Sequence, residues 1–136
     1  YYELGKYKKA IKSYKQAIRI NPDFRDAHYN LGNAYYESGK YEEVIESYKQ
    51  AIRLDPDFAK AHYSLGVAYG NLGMYKEAIE SLKQAIRIDP DDAEAHNNLG
   101  LAYLMLNDRG SAMEQYKILK ELDTELANKL FNLIYK

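Results

Sequence analysis

Ala27–Tyr36 reads AHYNLGNAYY, Ala61–Gly70 reads AHYSLGVAYG and Ala95–Leu104 reads AHNNLGLAYL. The pattern starts at residues 27, 61 and 95, a period of 34 residues. A second block fills the space between the copies: Tyr7–Pro22 is YKKAIKSYKQAIRINP, Tyr41–Pro56 is YEEVIESYKQAIRLDP and Tyr75–Pro90 is YKEAIESLKQAIRIDP. A fixed period of this length marks a stack of small units, none of which buries its apolar face alone. Such a stack offers a long surface and seldom encloses a catalytic pocket.

Each unit divides into two helical segments. Leu31, Ala34 and Tyr35 recur at helical spacing in the first, as do Leu65, Ala68 and Tyr69 in the next copy. In the second segment Val44, Ile45, Tyr48, Ala51, Ile52 and Leu54 form an apolar stripe, with Glu42, Glu43, Glu46, Lys49 and Arg53 outside it. Gly5, Gly39 and Gly73 separate the segments, and Asn107 holds that place in the last unit; these residue types tolerate the left-handed conformation that ends a helix. Asn21-Pro22, Asp55-Pro56 and Asp89-Pro90 end the second helices, because the residue before proline avoids helical geometry. Asp23 and Asp91 are the expected caps of the following helices, with Asp26 and Glu94 completing capping boxes. Gly32, Gly66 and Gly100 lie inside helices at a cost of roughly 0.5–1 kcal/mol each. The expected offset is close approach of the paired helix at small Val44, Ala78 and Ala112. Ala17, Ala51 and Ala85 play the same part between units; Leu119 replaces this alanine in the last unit, so the final helix should stand off differently.

The 136 residues are 46% hydrophobic, enough for one domain with a continuous core. No apolar run approaches the roughly 18 residues of a membrane helix, and there is no Cys to form a disulfide, a thiolate nucleophile or a thiolate zinc site. A net charge of −1 argues against a general nucleic-acid binder, which shows a strongly basic face. The charge is uneven, however: Lys6, Lys8, Lys9, Lys12, Lys15 and Arg19 crowd the first segment, where Glu3 is the only acid. This run reads either as a solvated outer helix face or as a dock for an acidic partner or a neighbouring copy.

The pattern of Leu-Gly, Tyr, Ala, Tyr, Ala and Pro resembles the tetratricopeptide repeat, in about three and a half copies across nearly the whole chain. The resemblance implies an all-α, right-handed α-solenoid of antiparallel helix pairs, with a concave surface lined mainly by the first helix of each pair. The units fall at 1–24 (mainly a second helix), 25–58, 59–92 and a degenerate 93–126, followed by a capping helix over 125–136. His28, His62 and His96 stand where the family often has a bulky aromatic, while Arg109 and Thr124 replace the tyrosine and proline of the last unit. Tyr1–Leu4 matches only the last turn of a first helix, so the helix from about Lys6 is expected to expose Ala10, Ile11 and Tyr14. With no initiator Met, the chain reads as part of a longer protein, and the cytoplasm is only the default compartment. In the last segment Leu126, Leu130, Leu133 and Ile134 form the stripe of a cap with a polar outer face.

No catalytic constellation emerges. The three histidines sit on successive units about 10 Å apart, whereas zinc ligands sit about 2 Å from one ion, so they are expected to pack rather than bind metal. Ser13, Ser47 and Ser81 share one repeat position with no His or Asp placed to activate them. The carboxylate pair Glu42–Glu43 lies on a charged outer face, and the tyrosines follow the repeat without the basic groove of a base-stacking platform. The expectation is therefore no enzyme, no cofactor, no metal, no nucleic acid and no membrane.

Specificity is expected in the groove, from first-helix residues off the packing stripe. These are Asp26, Tyr29, Asn30, Asn33, Tyr36 and Glu37; then Lys60, Tyr63, Ser64, Val67, Gly70 and Asn71; then Glu94, Asn97, Asn98, Leu101, Leu104 and Met105. Asn30, Ser64 and Asn98 form one column, similar to the asparagine ladder of the repeats in O-linked N-acetylglucosamine transferases. An amide carries donors and an acceptor and can grip a peptide backbone whatever its side chains. Tyr29, Tyr36 and Tyr63 add rigid contact area. Family members that clamp the C-terminal carboxylate of heat-shock proteins carry Lys and Asn, then Asn, then Lys and Arg. The matching residues here are Tyr29 and Asn33, Ser64, and Glu94 and Asn98. Only Asn33 survives and Glu94 repels a carboxylate, so that clamp is not expected. The sequence points to a scaffold that holds a peptide or protein segment. The alternatives are the recognition arm of a larger enzyme such as a glycosyltransferase, or an array that self-associates through its unpaired first helix.

Overall fold

The computed structural model describes residues 2–136, with side chains from Glu3 onward. Among these residues there are eight helices and no strand: α1 (Tyr2–Ile20), α2 (Arg25–Glu37), α3 (Tyr41–Leu54), α4 (Ala59–Asn71), α5 (Tyr75–Ile88), α6 (Ala93–Met105), α7 (Arg109–Leu122) and α8 (Thr124–Ile134). α2 packs on α3, α4 on α5 and α6 on α7, and each pair packs on the next through α3–α4 and α5–α6. The result is an α-solenoid. Its core is a seam of alternating contributions: Leu31, Tyr35, Val44 and Tyr48 continue into Leu65, Tyr69 and Ala78, then Ile79, Leu82 and Leu99.

Gly39 and Gly73 adopt φ of 78° and 73°, and Asn107 a φ of 60°, so three of the four expected reversals use the left-handed conformation. Gly5 does not. α1 runs through it unbroken, and a Cβ there would meet nothing within 4 Å. Tyr2–Leu4 continue α1 on its N-terminal side; Tyr1 lies outside the described residues. Ile11 and Tyr14 are half-buried rather than bare, because α1 lays them, with Ile18, against the first part of the seam.

The helix starts also differ from expectation. Asp23 and Asp91 cap nothing. The N-caps are Phe24, Phe58 and Asp92, and only Asp92 caps with its side chain, which accepts from the Ala95 N–H at 3.2 Å. The four-residue links are shaped earlier, by Asn21 and Asp55 accepting the N–H groups of Asp23 and Asp57. These local turns place the chain one residue further on before the helix begins. Asp26 pairs with Arg25 instead of closing a capping box.

Each histidine ties its helix to the preceding link. The Nε2–H groups of His28, His62 and His96 donate to the carbonyls of Pro22, Pro56 and Pro90 at 3.0, 2.8 and 2.7 Å. The carbonyl can only accept, which fixes the proton on Nε2. Arg25 adds a tie between units: its Nη1 donates to Asp55 Oδ2 at 2.6 Å while its guanidinium lies 4.2 Å from the centre of the Phe58 ring.

The helical glycines do face close neighbours; of the small residues expected only Ala78 is among them, its carbonyl oxygen 3.4 Å from a Cβ at Gly66, and the nearest atoms belong to larger side chains. A Cβ at Gly32 would lie 2.5 Å from the Tyr48 ring, at Gly66 2.8 Å from Leu82 Cγ, and at Gly100 2.7 Å from Leu130 Cδ2. The side chain one turn beyond Val44 or Ala78 reaches back over the glycine, since helical side chains lean toward the N-terminus. In the last unit this role passes to the capping helix.

That cap is out of step with the repeat. Elsewhere residues 21–24, 55–58 and 89–92 separate helices, whereas Asp123 alone separates α7 from α8. Thr124 stands where proline stops the earlier helices, and Asp123 caps α8 by accepting the Leu126 N–H at 3.1 Å. Leu119 is wholly buried with Ala127, Leu130 and Ile134, so its bulk is housed by α8. Leu133 is exposed, and Ala127 takes its place on the buried stripe. The outer face is not purely polar: Phe131 and Tyr135 are exposed there, and the Phe131 ring packs at a tilt against both Tyr116 and Tyr135.

Candidate functional site

α2, α4 and α6 lie side by side, and the gaps between them form two adjoining hollows. The first, of about 230 Å³, is lined by Asn33, Tyr36, Tyr63, Ser64 and Val67, with Tyr48 beneath. The second, of about 170 Å³, is lined by Val67, Asn71, Asn98 and Leu101, with Gly70, Met105 and Tyr75 at its rim and Gly66, Ala78, Leu82 and Ala102 below. Val67 separates the two. Ten of the eighteen expected groove residues thus meet around one continuous depression. Asp26, Glu37, Lys60 and Glu94 are exposed, Tyr29, Asn30, Asn97 and Leu104 are half-buried, and none of the eight lines a hollow.

The polar groups on this face are largely engaged with one another. Asn98 Nδ2 donates to the Tyr63 hydroxyl at 3.0 Å, Asn71 Nδ2 donates to the Tyr36 hydroxyl at 2.8 Å, and the Tyr29 hydroxyl lies 3.3 Å from Ser64 Oγ. Each bond spans 35 residues and so links one unit to the next. The Asn30–Ser64–Asn98 column is therefore partly used inside the protein. Asn98 spends one N–H on Tyr63 and keeps a second N–H and its carbonyl oxygen. The tyrosine rings are also committed. Tyr29 packs between Tyr48 and Phe58, with ring centres 5.5 and 4.9 Å away, and Tyr36 packs edge-on against Tyr41 at 5.4 Å.

The sequence reading missed the second helices. Tyr48 and Tyr75 line the hollows although they belong to α3 and α5. A signal for Tyr48 existed: its repeat position lies on the buried stripe, and a buried phenol needs a partner for its hydroxyl. That partner is Asn33 Oδ1, which accepts from it. Burial pushes the Tyr48 phenol well above its usual range, with a smaller push from Tyr29. Burial also raises Tyr63, reinforced by the Glu94 charge and opposed by the Asn98 hydrogen bond. For Tyr48 the sign is plain. A phenol raised on folding stabilises the native state fully below its ordinary value of about 10, and that contribution is lost as pH climbs from there toward the raised value. Melting curves from about pH 9 upward are expected to show a steeper loss of Tm for the native protein than for Tyr48→Phe. Equal slopes would remove this phenol from the account.

Among the described residues no group of His, Asp or Glu is placed to hold a metal ion, and no helix is long and apolar enough to cross a membrane. Residues 1–39, 32–73 and 71–107 match the TPR repeat family, and residues 93–125 match the tetratricopeptide repeat family in a second form. The chain belongs to the tetratricopeptide repeat family. No protein of curated function matches it. The crystal structure of MamA superposes with a TM-score of 0.91 at 29% identity, covering 96% of this chain and 78% of MamA. TTC0263, a thermophilic TPR protein of Thermus thermophilus, gives 0.77 at 25% identity, covering 98% and 75%. The first TPR of Spaghetti (RPAP3), bound to an HSP90 peptide, gives 0.77 at 23% identity over 82% and 90%, a likeness of fold.

Proposed function

We propose that this TPR array, units 25–58, 59–92 and 93–126, is a non-catalytic scaffold that holds an extended segment of another protein along α2, α4 and α6. The observation that carries the reading is the pair of adjoining hollows, one lined by Asn33, Tyr36 and Tyr63, the other by Asn71 and Asn98 beside Val67 and Leu101. An extended segment satisfies both, because alternate side chains point to one face while backbone groups remain free for Asn30, Asn33 and Asn98. A micromolar Kd, about −8 kcal/mol, suits a groove of three units. A peptide array probed with the native protein and with Asn30→Ala/Asn98→Ala tests it. Binding to the best peptides is expected to weaken at least tenfold, as loss of a charge-free amide pair of about 1 kcal/mol each predicts. Unchanged binding would move the ligand off this face.

A further inference from the structure

The outer side of α1 differs from that of every other second helix. Lys8, Lys12, Lys15 and Arg19 follow one another at intervals of four, three and four residues, which sets them in one row along the helix. All four are exposed. The same repeat positions read Glu42, Glu46, Lys49 and Arg53 on α3, Lys76, Glu80, Lys83 and Arg87 on α5, and Gly110, Glu114, Lys117 and Glu121 on α7. The place of Lys12 is thus held by glutamate on each of the other second helices. These positions are exposed on α3 and α5 as well, where first helices pack on both sides. The row is therefore outer surface of the array and not an uncovered packing face.

On the other helices an acid answers the base. Lys117 bonds Glu114 three residues back at 3.3 Å, and Glu46 with Lys49 and Glu80 with Lys83 repeat that spacing. In α1 the row holds only like charges at these intervals, which destabilises a helix. None of its four cations forms an ion pair among the described residues, although Lys15 Nζ rests 5.8 Å from the centre of the Tyr35 ring. A local rule broken without a structural gain points to a site. The row also has shape. Together with Gln16 it surrounds a hollow of about 310 Å³ in which half-buried Ile11 is the one apolar residue.

Four cations spread over about 16 Å of helix match a short row of anions. The rest of the chain decides which. Beyond Ile20 it holds 13 cations against 19 acids, and the next second helix presents Glu42, Glu43 and Glu46 one repeat away. A nucleic acid or a lipid surface extends past α1 and meets those acids. A single peptide segment does not, and it can set an apolar side chain on Ile11 among its carboxylates. We propose that the row Lys8, Lys12, Lys15 and Arg19 is a binding site for an acidic segment of a partner protein. The site shares no residue with the hollows along α2, α4 and α6 and does not depend on the reading of that groove.

The probe is a fluorescent fourteen-residue peptide of glutamate and leucine, with four glutamates at the intervals of the four cations. By anisotropy it is expected to bind the native protein one to one and to weaken roughly tenfold as salt rises from about 50 to 500 mM. Lys8→Glu/Lys12→Glu writes the α3 residues into α1, so it should melt no lower than the native protein while binding at least tenfold more weakly. Glu42→Lys/Glu46→Lys writes the α1 row into α3 and should create a second, equivalent site. Asn30→Ala/Asn98→Ala should change nothing. Unchanged binding by Lys8→Glu/Lys12→Glu, a single site in Glu42→Lys/Glu46→Lys, loss on Asn30→Ala/Asn98→Ala, or no binding at low salt would each overturn the site. Tighter binding through the same lysines of a fifteen-nucleotide single strand of DNA, or of vesicles with three parts in ten phosphatidylserine, would overturn the peptide as occupant.

Discussion

Leu130→Ala is expected to lower the stability of the protein by about 2–5 kcal/mol, toward the upper end of that range. Leu130 is wholly buried among Ala112, Leu119, Ala127 and Ile134, and its Cδ2 fills the space over Gly100. The cost of truncating a buried leucine depends on how far the surroundings collapse into the cavity. Here the facing residue has no side chain to move. The consequence also spreads along the chain, because α8 has 11 residues and a helix that short is marginal in water without its docking partner. Urea unfolding should show the loss in midpoint, and hydrogen exchange should show the α8 amides losing protection before those of α4 and α5. A cost below about 1 kcal/mol, outside the usual range for such a truncation, would mean that α8 is not seated on α6.

The second large effect is a coupling. At Gly66 an added Cβ would sit 2.8 Å from Leu82 Cγ, 3.0 Å from its Cδ2 and 3.4 Å from the Ala78 carbonyl oxygen. Gly66→Ala gains about 0.5–1 kcal/mol of helix propensity but overpacks a tight seam at a cost of about 1–3 kcal/mol, so a net loss is expected. Leu82→Ala alone should cost about 2–5 kcal/mol, since Leu82 is 2% exposed. In the double variant the new methyl group enters space that Leu82 vacated. The two changes together should therefore cost at least about 1 kcal/mol less than their sum, a coupling expected only of residues in contact. Simple additivity would show that Gly66 and Leu82 do not share that space.

Much of the fold was legible because the repeat reports it three times. Gly39, Gly73 and Asn107 take the conformation that their residue types favour, and the helices they separate run where the stripes of Val44 and Ile79 require. Legibility failed where the outcome depends on what lies across the seam. The glycines at 32, 66 and 100 announced close approach, but only three-dimensional packing shows that Tyr48, Leu82 and Leu130 make it. The caps at Phe24 and Phe58 were hidden because Asn21 and Asp55 set the links locally, and a hydrogen bond two residues long leaves no periodic trace. Gly5 matched the spacing of a break, yet α1 runs through it without the left-handed conformation. In the candidate site, first-helix residues such as Asn33, Val67 and Leu101 were recognisable from their helical phase. Tyr48 and Tyr75 were not, because they reach the hollows through gaps between neighbouring helices.

The bonds from Tyr29 to Ser64, Tyr36 to Asn71 and Tyr63 to Asn98 have a mechanical consequence. They stitch neighbouring turns of the coil together along a single side, so straightening the coil strains that side before any other. Any change in its pitch has to lengthen these three bonds, which gives that side of the coil a stiffness of its own.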